Sequence, residues 1–191
     1  VLDIANQEEV IGNIVEEKTR DDGLKIQKEL IPLGVVAMIF ESRPNVVIDA
    51  ASIAIKSGNA LILKGGKEAA HSNKILTKLV QDSLIENGLP KECVEQIDSR
   101  DEVSELLKLK EYIDVVIPRG GEKLINYVYE NASMPVIAHF KGLCHIYVHE
   151  DADLEKAIPI ILNAKVQRPG VCNAMECLLL NKNLPEEFKA K

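Results

Sequence analysis

A chain of 191 residues with 46% hydrophobic side chains is long enough for one substantial domain, or one domain and a piece of another; with no Trp, the core falls to Ile, Leu, Val and Ala. Thirty acidic residues against 23 basic ones leave a formal net charge of -7, which argues against a nucleic-acid partner but not against an anionic small molecule held on backbone amides. Apolar runs such as VVIDAASIAI are too short and interrupted to span a bilayer, so no membrane partner is expected.

The opening VLDIANQEEV has no signal-peptide character, and its lack of Met predicts a start inside a longer protein or after processing. Four cysteines without a Cys-x-x-Cys pair predict free thiols in a reducing, cytoplasmic compartment. Four singly scattered histidines do not predict a metal site.

Residues 1–30 are charged and read as helical or loose. LIPLGVVAMIF (30–40) reads as a buried strand, Pro44 as a turn, and VVIDAASIAIKSG (46–58) as a helix ended by Gly58. NALILKGG (59–66) is a short strand stopped by two glycines. A helix follows over 69–87, with Ile75, Leu76, Leu79, Val80 and Leu84 on one side and Gly88 and Pro90 closing it. The cycle repeats: strand 93–97, helix 103–109, strand 112–118, helix 122–132, strand 134–140. CHIYVHE (144–150) is a further strand and 153–164 a further helix. A last strand over 174–180 presents an exposed apolar edge if its neighbours are absent. The pattern then ends on charged residues, which predicts a chain that stops partway through a domain. Apolar strands alternating with helices predict an α/β fold with a mostly parallel sheet. The glycines after strand ends mark the edge where ligands bind in such sheets.

QRPGVCNAMECLL (167–179) places Cys172 after a Pro-Gly turn and before small residues. A cysteine there reads either as a small buried hydrophobe or as a thiolate stabilised by backbone N–H groups. Cys177 lies in an apolar run and reads as core, Cys93 as the packed start of a strand, and Cys144 as ambiguous. His139, His145 and His149 are widely spaced, so a Cys–His peptidase or acyltransferase is the weaker reading. KGGKEA (64–69) and PRGGEK (118–123) share one form, strand then glycines then helix, which is a generic phosphate-holding arrangement. Neither is a GxGxxG fingerprint or a P-loop, but two in one α/β unit strengthen the case for a dinucleotide. Lys64 reads as a ribose or phosphate contact or as a surface lysine. In ESRPNV (41–46), Arg43 is a candidate anion ligand. Asn45 is either a helix N-cap or an amide aimed at a developing oxyanion.

IPLGV, FESRPN, SGNALILKGGKEA, YIDVVIPRGG and above all NAKVQRPGVCNAMECLL resemble the gamma-glutamyl phosphate reductases of the aldehyde dehydrogenase superfamily, over residues 31–180. The resemblance implies a doubly wound, mostly parallel Rossmann-like sheet, aldehyde dehydrogenase-like, with an NADP-binding domain over 1–165 and the start of a second α/β catalytic domain over 166–191. It implies NADPH-dependent reduction of L-glutamate 5-phosphate to L-glutamate 5-semialdehyde with release of phosphate, in proline biosynthesis. Cys172 becomes the nucleophile. Asn45, with a backbone N–H near Cys172, becomes the oxyanion donor. Lys64, Gly65 and Gly66 line the adenosine side of the cofactor, and Gly120 and Gly121 its pyrophosphate. A homo-oligomer and a functional link to glutamate 5-kinase are further implications. Arg43 and Arg168 are candidates, by charge, for the substrate's phosphate or carboxylate.

Composition does not fix NADPH against NADH: the charges of Lys64 and Lys67 suit a 2′-phosphate, and the resemblance supplies the main weight for NADPH. In HFKGLCHIYV, His139 stands about where aldehyde-oxidising members carry a water-activating glutamate, which argues against an aldehyde-to-acid oxidase. Two alternatives stay open: an acylating aldehyde dehydrogenase using coenzyme A thioesters, and a catalytically incomplete nucleotide-binding or assembly module.

Overall fold

A computed structural model of the chain describes residues 1–139 and 142–190. They fall into two compact units, Val1–His139 and a second within 140–191. The elements of the first are α1 (Leu2–Ala5), β1 (Ile14–Thr19), β2 (Lys25–Glu29), β3 (Val35–Phe40), α2 (Asn45–Lys56), β4 (Ala60–Lys64), α3 (Ala70–Glu86), β5 (Val94–Gln96), α4 (Arg100–Leu106), β6 (Val115–Arg119) and α5 (Glu122–Asn131). The second contains β7 (His145–Val148), α6 (Leu154–Val166), β8 (Cys177–Leu180) and α7 (Glu186–Lys189).

The first unit is built on a parallel four-stranded sheet in the order β5-β4-β3-β6. β3 is its central apolar strand, and the period of two sends its side chains to both faces. Val36 and Phe40 pack with Val47 and Ala51 of α2 and Leu84 of α3. Ala37 and Ile39 pack with Val103 and Leu106 of α4 and Val128 of α5. The sheet is therefore covered on both sides, as expected of a doubly wound fold. From β3 the chain steps outward to β4 and β5, then returns to β6 on the other side of β3. The switch point thus lies between β3 and β6, and crevices at such points are where α/β sheets bind ligands.

Several expectations need correction. Residues 14–29 form an antiparallel hairpin, β1 with β2, exposed at every strand position. Its turn is closed by Arg20 N–H to Leu24 O at 2.9 Å. The expected strand over 134–140 is reduced to a single bridge between Val136 and Val116. Pro135 has no N–H to donate and contributes only its carbonyl, to Val116 N–H at 3.0 Å; residue 140 of that expectation lies outside the described residues. On α3, Ile75 and Leu79 are exposed, while the polar Asn73 and Thr77 join Leu84 in the buried face. Helix α4 starts three residues earlier than 103, because Ser99 and Glu102 form a reciprocal capping box. Cys93 sits in a short 3-10 turn before β5, half-buried against the first core cluster.

In the second unit β7, α6 and β8 make one βαβ unit, β7 and β8 pairing in parallel. Asp153 caps α6: its side chain accepts from Lys156 N–H at 3.2 Å and pairs with Lys156 Nζ at 3.1 Å. Those bonds hold its carboxyl below the ordinary 3.8. Leu178 and Leu179 of β8 are exposed. No described helix is long and apolar enough to cross a membrane.

Candidate active site

The first unit gathers its candidate residues at the C-terminal edge of the sheet. Phe40 anchors the end of β3 in the core, 2% exposed. Glu41 follows and extends the ladder, its N–H donating to Arg119 O at 3.2 Å. Its carboxylate then accepts the N–H of Gly121, the N-cap of α5, at 3.0 Å. The glycines let the backbones approach this residue. A Cβ on Gly120 would lie 2.6 Å from Glu41 Cδ, and one on Gly66 would lie 3.3 Å from the Glu41 carbonyl carbon. A Cβ on Gly65 would collide with the Asn73 amide and stand 3.0 Å from Phe40 Cζ. The two glycine turns foreseen from sequence therefore flank one strand end at the switch point.

Lys64, the last residue of β4, is 8% exposed, and its Nζ donates to Gly65 O at 2.7 Å. It is an anchored cation, not a surface lysine. The Glu102 carboxyl is held below its ordinary value of 4.5, first by hydrogen bonds with Ser99, then by one with the Asp98 backbone and by the Lys64 charge. Asn73, 1% exposed under the Gly65 turn, has an Oδ1 without a hydrogen-bond partner. A buried acceptor of this kind calls for a donor from a ligand or an ordered water. Open glycine backbones, one anchored lysine and an orphaned buried acceptor fit the adenosine and phosphate parts of a dinucleotide. The Glu41 carboxylate, set against the Gly120–Gly121 turn, has the wrong sign for a phosphate.

Past Glu41, Arg43 is exposed in the turn, its N–H donating to Glu41 O at 2.9 Å. Pro44, not Asn45, occupies the N-cap position of α2, which corrects the capping reading of Asn45. Asn45 is the first helical residue, exposed, with Nδ2 donating to Asp49 Oδ2 at 3.0 Å. A side-chain amide has two N–H donors, so a second remains for another acceptor.

Cys172 and Arg168 belong to the second unit, and both are exposed. Their turn follows α6 and is pinned at several points. Val171 N–H bonds Arg168 O at 3.3 Å, Met175 N–H bonds Ala164 O at 2.9 Å, and Lys165 Nζ bonds Met175 O at 3.1 Å. The Cys144 thiol donates to Cys172 O at 3.3 Å, while Cys144 O accepts from the N–H groups of Glu176 and Cys177. Cys172 is thus an exposed thiol on a fixed turn, and the buried-hydrophobe reading falls. Cys177 is half-buried. His145 Nδ1 is engaged with Leu143 O at 2.7 Å and His149 Nδ1 lies 3.4 Å from Asp151. Among the described hydrogen bonds none joins Cys172 to a histidine, and among the described residues no group of three His, Cys, Asp or Glu is placed to hold a metal.

Sequence reasoning missed Glu41, Asn73 and the Cys144–Cys172 link. Glu41 did carry a signal, as the sole acid between Glu29 and Asp49, placed where an apolar strand ends.

The same arrangement of elements recurs in known proteins. A family model described as "Aldehyde dehydrogenase family" matches residues 4–191. The gamma-glutamyl phosphate reductase of a Nitratiruptor species is 51% identical over 193 residues, which is 100% of this chain and 47% of that protein. The crystal structure of the Thermotoga maritima gamma-glutamyl phosphate reductase is similar with a TM-score of 0.87 at 43% identity, over 97% of this chain and 45% of that one. An acetylating aldehyde dehydrogenase from Geobacillus thermoglucosidasius is more distant, with a TM-score of 0.71 at 27% identity, over 98% of this chain and 43% of that one. The chain spans about half the length of the curated relatives it matches. It belongs to the aldehyde dehydrogenase family.

Proposed function

We propose that this chain serves an enzyme that reduces L-glutamate 5-phosphate to L-glutamate 5-semialdehyde with NADPH and releases phosphate, in proline biosynthesis in the cytoplasm. The observation that carries the reading is the 43% identity and TM-score of 0.87 to the Thermotoga maritima gamma-glutamyl phosphate reductase over 97% of the chain. Residues 1–165 serve as the cofactor domain and 166–191 open the catalytic domain. That functional boundary falls inside α6 and differs from the division into compact units near 139. The full-length enzyme works as a homo-oligomer, supplied with its acyl phosphate by glutamate 5-kinase.

The Cys172 thiolate attacks the acyl carbon. The C–S bond forms, the C–O bond to phosphate breaks, and phosphate leaves without needing a strong acid. NADPH, when bound, would supply the hydride that reduces the thioester carbon. The second amide N–H of Asn45 donates a hydrogen bond to the oxyanion that results at the former carbonyl. When the C–S bond breaks, the carbonyl reforms, the aldehyde departs and the Cys172 thiolate is regenerated. Lys64 and the Gly65–Gly66 turn hold the adenosine side of the cofactor, and Gly120–Gly121 the pyrophosphate side. Arg43 and Arg168 take the substrate's anionic groups. The absence at His139 of the glutamate that oxidising members carry suits an enzyme whose acyl group comes from phosphate or leaves to it.

The test is the reverse reaction of the full-length enzyme, following NADP⁺ reduction by glutamate semialdehyde. The reading predicts steady-state NADPH formation that needs phosphate, beyond one equivalent per site, and that is lost in Cys172→Ala. Turnover with coenzyme A in place of phosphate would move the assignment to the acylating aldehyde dehydrogenases.

A further inference from the structure

We propose that Glu41 is an electrostatic latch on the pyrophosphate side of the cofactor site, closing the Gly120–Gly121 turn until a dinucleotide displaces it. The inference rests on the reading of that turn as the cofactor's. Gly121 N–H opens α5, a ten-residue helix, and is the donor that a phosphate oxygen at this turn would take. In this structure Glu41 Oε2 takes it, at 3.0 Å and across 80 residues of chain. The carboxylate is held close: a Cβ on Gly120 would meet Glu41 Cδ at 2.6 Å and Cγ at 2.8 Å.

Among the described ion pairs none includes Glu41. A carboxylate and a phosphate contending for one N–H repel each other. The side chain is exposed, and the bond to Gly121 is the one described hydrogen bond of its carboxylate, so little holds it against displacement. Cofactor affinity is therefore lowered by the work of displacing it, and the turn stays ordered while empty of phosphate.

The experiment compares full-length wild type, Glu41→Gln and Glu41→Ala by isothermal titration with NADPH and with adenosine 2′-monophosphate, which lacks the pyrophosphate. Gln keeps the length and an acceptor for Gly121 N–H but loses the charge. The latch predicts about tenfold tighter NADPH binding in Glu41→Gln, from removal of one like charge at close range, with adenosine 2′-monophosphate binding unchanged. Glu41→Ala is expected to bind NADPH more tightly as well, and to show faster amide exchange at Gly121 without ligand. Unchanged or weaker NADPH binding in both variants, with wild type binding normally, overturns the latch alone. A wild type that binds no NADPH overturns the cofactor reading and the latch with it.

Discussion

The thiol of Cys144, at the entry to β7, donates to the backbone carbonyl of Cys172 at 3.3 Å, so the proposed nucleophile hangs from the neighbouring strand by another cysteine. Sulfhydryl donors are weak, and a bond of this kind adds a fraction of a kcal/mol, on the order of 0.5–1. Cys144→Ala is expected to lower kcat/KM by about three- to fivefold through loosening of the turn. Cys144→Ser keeps a donor and is expected to recover most of that loss. Equal losses in Ala and Ser would show that the donor is irrelevant.

Gly65 and Gly120 both end in close approaches, but with different neighbours. A Cβ on Gly65 meets the amide of Asn73, which is 1% exposed and cannot retreat. Gly65→Ala is expected to destabilise the fold by about 1–3 kcal/mol, as overpacking does. A Cβ on Gly120 meets the exposed Glu41 side chain and Leu124 Cδ2 at 2.8 Å. Gly120→Ala is expected to cost less than about 1 kcal/mol in stability. Denaturant unfolding of both variants checks the order, and the reverse order would contradict the packing described at this edge.

Glu102 should titrate below 4.5, since Ser99, then Asp98 and Lys64, favour its charged form. The sign follows from the lowered value. Its contribution to stability is complete above 4.5 and is lost as the pH falls through the folded-state value. Carboxyl NMR titration checks this directly. In Ser99→Ala the midpoint is expected to rise part of the way toward 4.5, because the Ser99 N–H still donates to Glu102 while the hydroxyl is lost; an unmoved midpoint would remove the Ser99 hydroxyl as a cause.

Much of the first unit was legible because its signals are local. Val35–Phe40 is a continuous apolar run, glycines stop β4 and α2, and both Gly-Gly turns stand where the strand-to-helix switch is visible in the letters. The hairpin over 14–29 was not legible. Both its faces are exposed, so charged residues occupy every part of the period-two pattern and no apolar alternation survives. The face of α3 was misjudged because Asn73 and Thr77 are buried by tertiary neighbours: Thr77 Oγ1 bonds Gln96 Oε1 at 3.0 Å, and Asn73 fills the space left by Gly65. Pro-Gly before Cys172 marked a turn correctly. Cys144, which holds that turn from 28 residues away, could not be read from the same stretch. Glu41 illustrates the same limit: its role depends on Gly121, which no local window contains.

The proposed chemistry turns on a thioester at Cys172 that exchanges with phosphate. Intact-mass spectrometry of the full-length enzyme mixed with glutamate semialdehyde and NADP⁺, without phosphate, tests it most directly. The account predicts a mass increase of one glutamyl group, mapped to Cys172 by peptide fragmentation and discharged on adding phosphate. An unmodified Cys172 with NADPH still forming, or an adduct that phosphate leaves in place, would contradict it.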